Sequence, residues 1–209
     1  MQSRSIRKSF GQVASVVFTI LALAIVLQAQ EVATPNNSEI KIKNFGQMDD
    51  RFYRGAQPKE EDYRALAALG IHTIIDLTDD PKDYEKPITE SLGMKYVHIP
   101  MIAKKYPTED VTAAFLKVVG DPNTGKFFLH CAGGRHRTGA MGAVYRYKFY
   151  DWNFDQVYQE MKKYDFYTSW GHGAFKDFVK DYYEQILSAK SSAPFTSARD
   201  SGEQKVEKQ

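Results

Sequence analysis

The segment His130-Cys131-Ala132-Gly133-Gly134-Arg135-His136-Arg137-Thr138-Gly139 leaves this chain little freedom in its architecture. An apolar run, Phe127-Phe128-Leu129, precedes it, and a stretch with helical character follows from Ala140 to Tyr150. The whole therefore reads as a strand, a tight loop and a helix N-terminus. Glycines at 133, 134 and 139 let the backbone curl so that successive N–H groups converge, and the helix adds the positive end of its dipole. A strand that hands a loop to a helix in this way belongs to an α/β arrangement, with the site at the strand's C-terminal end.

Each part of the loop has a use if the ligand is a phosphate. Cys131 is the only cysteine of the 209 residues, which rules out an internal disulfide framework and a zinc-thiolate cluster within the chain. In the field of the loop amides and the helix end its thiol can ionise near neutral pH and act as a nucleophile. Arg137 follows after five residues and offers a planar fork for two phosphoryl oxygens at once. Ala132, Gly133, Gly134, Arg135, His136 and Thr138 complete the expected substrate-binding loop, with the Thr138 hydroxyl placed to hydrogen-bond the sulfur when it is expelled. His130 is expected to brace the loop from behind. A phosphate loop of the G-x-x-x-x-G-K-[ST] type is absent.

Taken together, His130-Cys131, five residues, Arg137 and Thr138 resemble the signature of the cysteine-dependent phosphatases. The ending Arg135-His136-Arg137-Thr138-Gly139 is similar to that of the atypical dual-specificity phosphatases of plants and fungi and their bacterial relatives. Tyr53-Arg54-Gly55-Ala56-Gln57-Pro58 and Leu69-Gly70-Ile71-His72-Thr73-Ile74-Ile75-Asp76-Leu77 extend the likeness over roughly residues 50 to 165. The resemblance implies a single-domain tyrosine-phosphatase-like α/β fold, a twisted mixed sheet flanked by helices. It also implies metal-independent and cofactor-free hydrolysis of phosphomonoesters through a phosphocysteine. Phosphorylated proteins, or inositol polyphosphates, are the implied substrates.

The resemblance also implies an aspartate donor on the loop after the strand ending near Pro100. Here that loop reads Met101-Ile102-Ala103-Lys104-Lys105-Tyr106-Pro107, without an acid. Asp110 is taken as the donor, with Asp79, Asp80, Glu109 and His136 as further candidates. Acids in a first helical turn also serve the helix dipole, which lowers the pKa that a donor needs raised. Arg135, His136, Lys104, Lys105 and Arg54 could meet a polyanion. Two other classes are open: a phosphate-reading module without turnover, and a rhodanese-like sulfurtransferase, whose loop is usually shorter.

The N-terminus carries Arg4, Arg7 and Lys8 before the apolar stretch Val13 to Leu27, the pattern of a signal peptide, with cleavage expected after Ala29. Export to a periplasmic or extracellular space is expected, with retention as a membrane anchor if the segment is uncleaved. Subtracting those three cations from the formal net charge of +2 leaves −1, so no nucleic-acid partner is indicated. Residues 30–48 are expected to be a linker, 49–189 the phosphatase domain and 190–209 a disordered tail.

Within the domain, strands are expected at Phe52 to Arg54, Ile71 to Leu77, Lys95 to Ile99 and Lys126 to His130. Helices are expected between them: one near Pro58 with Tyr63, Leu66 and Ala67 inward, Pro87 to Leu92, and one with Val111, Ala114, Phe115, Val118 and Val119 inward. Three more follow the loop: Ala140 to Tyr150, one capped by Asn153, and one striped by Phe175, Phe178, Val179, Tyr182 and Ile186.

Overall fold

The computed structural model describes residues 40–192. The expected signal peptide or anchor, the first part of the linker and the tail beyond Ser192 lie outside the described residues. Among the described residues no helix is long and apolar enough to cross a membrane.

Five strands, β1 (Gly46–Gln47), β2 (Phe52–Ala56), β3 (Thr73–Asp76), β4 (Lys95–His98) and β5 (Phe127–Cys131), form one sheet in the order β1-β2-β5-β3-β4. β1 runs antiparallel to β2; β2, β5, β3 and β4 are mutually parallel. β5 is thus central and covered on both faces, which is why all five of its residues are buried and the run is nearly continuously apolar. Its register sets Ala56 beside Cys131 and both Gly55 and Asp76 beside His130. Three parallel strands therefore end together beneath the loop.

The helices are α1 (Asp62–Ala68), α2 (Glu85–Ser91), α3 (Glu109–Gly120), α4 (His136–Tyr150), α5 (Phe154–Lys163) and α6 (Gly173–Ser192), with a 3-10 turn at Pro122–Thr124. Strand alternation sends Phe52, Ile75, Phe127 and Leu129 to one face, where they pack with Phe115 of α3, Met141 and Val144 of α4, Met161 of α5 and Phe175 of α6. Tyr53, Ile74 and Phe128 turn to the other face, against Ile42, Tyr63, Leu66 and Met94. Helices on both faces of a mixed sheet is the expected architecture.

Several boundaries move, for physical reasons. α4 starts at His136, not Ala140, so Arg137 and Thr138 stand on its first turn and the loop is tighter than the sequence suggests. Gly139 lets α4 approach Met161 of α5 rather than the sheet, whereas Gly142 does face Phe52 and Arg54 of β2. On α3 the buried positions are Thr112, Phe115 and Val119; Ala114 is exposed. Residues 42–48, expected as linker, belong to the domain: Ile42 and Met48 are buried and Gly46–Gln47 is the edge strand. Asn153 caps α5 in a reciprocal box with Gln156, as its sequence pattern requires.

Candidate active site

The loop after β5 is held by its carbonyls. Gly134 adopts φ +61, and a side chain there would put its Cβ 2.4 Å from the carbonyl carbon of Gly55, so only glycine fits. The Gly134 carbonyl accepts a hydrogen bond from Arg54, whose guanidinium is buried and lies 4.1 Å above the Tyr164 ring. Asn44 Nδ2 donates to the Gly133 carbonyl at 2.8 Å and the Gln57 amide to the Ala132 carbonyl at 3.4 Å. With three successive carbonyls engaged by the scaffold, the loop amides are left to face the opposite side, as an anion nest needs. Arg54 is therefore a brace beneath the loop and not a group that meets substrate; burial lowers its pKa to about 10.

Cys131 is buried at the end of β5. Burial pushes its thiol up, but the Thr138 hydroxyl, the Arg137 charge and the Thr138 and Gly133 amides outweigh that, so its pKa lies below the ordinary thiol value. Behind it, His130 Nε2 stands 2.6 Å from Glu85 Oε1, with both side chains fully buried. Burial opposes charge on the imidazole, yet Glu85, Asp76 and the Cys131 thiolate hold its pKa above the ordinary histidine value.

Gln57 Nε2 donates to the other Glu85 oxygen at 2.8 Å, while Asp76 accepts from the Thr78 amide and hydroxyl and from Tyr96. Asp76, Glu85 and His130 offer ligand atoms within 4.8 Å of one another. Both Asp76 oxygens and one Glu85 oxygen are engaged by these donors, and the other Glu85 oxygen faces His130 Nε2, so the cluster is a buried ion pair with its hydrogen-bonded surround beneath the loop.

Arg137 is fixed at one end of its fork. Its Nη1 donates to Asp79 Oδ1 at 2.7 Å, to the Met101 carbonyl at 2.9 Å and to the Leu77 carbonyl at 3.3 Å. Nε and Nη2 remain for phosphoryl oxygens. Asp79 also accepts from the Ala103 amide at 3.3 Å. Slight burial pushes its carboxyl up, but Arg137 and that amide together hold it below the usual carboxylate range, the wrong direction for a proton donor.

Over Cys131 lies a cavity of about 170 Å³, lined by Ala103, Lys104, Ala132, Gly133, Arg135, His136, Arg137, Tyr167, His172 and Phe175. That is small beside the ~300–1,000 Å³ of ordinary ligand pockets, so it can enclose a phosphoryl group while the rest of a substrate lies outside. His136 stacks on His172 with ring centroids 3.6 Å apart. Lys104, Asp165 and Trp170 on the surrounding loops all have φ near +60, a strained backbone of the kind that collects at functional sites. Asp165 stands 3.8 Å from Arg135 Nε.

Of the residues expected at the site, Cys131, Ala132, Gly133, Arg135, His136, Arg137 and Lys104 share this lining, and Gly134 and Thr138 build the loop below it. Asp110 does not join them: it is exposed on the first turn of α3, and its neighbour Glu109 lines a separate groove with Tyr106 and Phe178. No carboxylate lines the cavity among the described residues. Sequence reasoning missed Asn44, Glu85, Tyr167, His172 and Phe175. Only His172, between two glycines in an aromatic-rich turn, carried a visible signal.

Residues 25–178 match the family described as DSP-PTPase phosphatase fused to NAD+ Kinase. The chain is 29% identical over 126 residues to a probable tyrosine-protein phosphatase, DG1060, of Dictyostelium discoideum, covering 58% of this chain and 75% of that one. It is 27% identical over 137 residues to the inositol diphosphatase DSP5 of Arabidopsis thaliana, covering 61% of this chain and 66% of that one. Its fold is similar to the solved Siw14 catalytic core, with a TM-score of 0.59 at 20% identity over 73% of this chain and 95% of that one.

Proposed function

We propose a reaction for this chain from one premise: it belongs to the family of DSP-PTPase phosphatases found fused to NAD+ kinase. It is a phosphatase of the protein-tyrosine and dual-specificity type. Cys131 attacks phosphorus in line with the leaving oxygen, Arg137 and the loop amides bind the three equatorial oxygens, and water then displaces the sulfur with release of phosphate. The observation that carries this reading is a thiol of lowered pKa at the floor of a cavity shared with Arg137.

The relatives divide, by their names, between tyrosine-protein phosphatases and inositol diphosphatases. Both leaving groups, a phenolate and a phosphate, are less basic than a serine alkoxide. A cavity without a lining carboxylate supports such substrates over phosphoserine, whose alkoxide needs full protonation. Lys104 and Arg135 at the rim support an anionic substrate body. The N-terminal basic and apolar segment supports export of this activity, which a mature N-terminus at Gln30 in the secreted protein would test.

The experiment is a pre-steady-state assay with p-nitrophenyl phosphate. A burst of phenolate equal to the enzyme concentration is expected from the wild type and none from Cys131→Ser, which should still bind inorganic phosphate. Arg137→Lys should lose at least ~100-fold in kcat, as for removal of an oxyanion donor. Turnover by the serine variant at the wild-type rate would contradict the reaction. Side-by-side rates on a phosphotyrosyl peptide, a phosphoseryl peptide and an inositol polyphosphate then rank the substrates.

A further inference from the structure

The phosphocysteine reaction needs a proton for the leaving oxygen, and no carboxylate lines the cavity to give it. Asp79 is bound to Arg137 and Ala103, and Asp165 faces Arg135. Among the described residues, the titratable groups that do line it beside Cys131 are Lys104, Arg135, His136, Arg137, Tyr167 and His172. The arginines do not release protons. His136 is less suited: its Nε2 proton goes to the Tyr167 carbonyl at 3.1 Å, and burial, with the neighbouring cations, lowers its pKa to about 4.

His172 is differently placed. Its ring stacks on His136 at 3.6 Å and 5°, with Tyr167 edge-on at 5.2 Å and Phe175 behind at 6.5 Å. Its Nδ1 is buried and has no hydrogen-bond partner in the protein. We propose that His172 is the proton donor of this phosphatase, taking the place of the missing loop aspartate.

The proposal rests on the phosphocysteine reaction and specifies its proton path. As the sulfur–phosphorus bond forms and the phosphorus–oxygen bond breaks, the His172 imidazolium gives its proton to the departing oxygen. In the second step the neutral ring takes a proton from the attacking water as the oxygen–phosphorus bond forms and the thiolate leaves, restoring the imidazolium.

The groups acting on His172 explain when it is charged. In the free enzyme burial, and then Lys104, Arg135 and Arg137, hold its pKa below the ordinary value. His136 is stacked against it, so only one of the two rings can carry a charge. Tyr167 presents its ring edge-on and Phe175 is apolar. A phosphoryl dianion seated on Arg137 reverses the sign of that field, so the proton arrives with substrate.

The test is the dependence of rate on leaving group in His172→Phe, which keeps an aromatic ring on His136 but cannot carry a proton. The variant should lose at least ~100-fold on phenyl phosphate, whose leaving group is basic, and less than ~10-fold on p-nitrophenyl phosphate, the contrast that loss of a general acid produces. Equal losses on both, or no loss on phenyl phosphate, would overturn it.

A second measurement needs no variant at position 172: the NMR titration of the His172 ring in Cys131→Ser, with and without inorganic phosphate. Its pKa should rise by about one unit or more on binding; an unmoved value overturns the proposal. Turnover by Cys131→Ser at the wild-type rate would instead remove the underlying reaction, so the two failures are distinguishable.

Discussion

Asp79 Oδ1 lies 2.7 Å from Arg137 Nη1, tying the turn after β3 to the first turn of the helix after the phosphate loop. The pair is half open to solvent on the Asp79 side, with a side-chain exposure of 41%, so its worth to stability is about 1 kcal/mol or less. Its worth to geometry is larger, because with two backbone carbonyls it fixes the edge of the guanidinium that faces away from phosphate. Asp79→Ala should leave the urea midpoint nearly unchanged and lower kcat up to ~100-fold, the scale of a ~1 Å misplacement of a positioning group. Asp79→Glu should restore part of it. Unchanged kcat in the alanine variant would contradict this role.

The two glycines of the loop should behave differently. At Gly133 an added Cβ meets nothing closer than the Arg135 side chain at 3.9 Å, and at Gly134 it meets the Gly55 backbone at 2.4 Å with φ at +61. Gly133→Ala is expected to change stability by less than about 1 kcal/mol. Gly134→Ala pays about 1–2 kcal/mol for the left-handed backbone alone, and more to separate the loop from β2. Thermal unfolding of the two variants checks the contrast.

Much of this is legible in the amino-acid sequence, and the division has a physical logic. The loop from Cys131 to Thr138 could be read because a phosphate cradle is built from consecutive amides, so its residues must be contiguous. β5 could be read because it is covered on both faces and runs nearly apolar, and β3 because Ile74 and Ile75 lie in a β-branched run. Asp79 and His172 could not be assigned, since they reach the site from turns that only the fold brings there. Arg54 is cationic and near the motif, which suggests a place facing substrate; its position on a covered strand beneath Gly134 makes it a brace instead. Asp110 sat in the expected stretch of chain, but the helix turns it to solvent.

The buried His130 and Glu85 pair predicts a pH dependence of stability with two limits. The folded His130 pKa is raised, so its contribution is complete below the unfolded value of about 6.5 and is lost as pH climbs through the folded value. Burial pushes the Glu85 carboxyl up, but His130, Gln57 and Tyr63 outweigh it and hold the folded value down. Its contribution is therefore present above about 4.3 and lost as pH falls through that lowered value. Glu85→Ala, which leaves a buried imidazole without its partner, should cost about 3–5 kcal/mol near pH 6 and less at pH 9. Denaturant unfolding at both pH values measures it; an equal loss at both would contradict the charged pair.

The phosphocysteine reaction requires Cys131 to be a thiolate in the resting protein. The direct measurement is the rate of iodoacetamide alkylation of this single cysteine against pH, in the wild type and in Arg137→Met. The wild type should titrate clearly below the ~8.5 of a free thiol, and loss of the guanidinium should move the midpoint upward. A midpoint at or above the free-thiol value, indifferent to residue 137, would contradict the account.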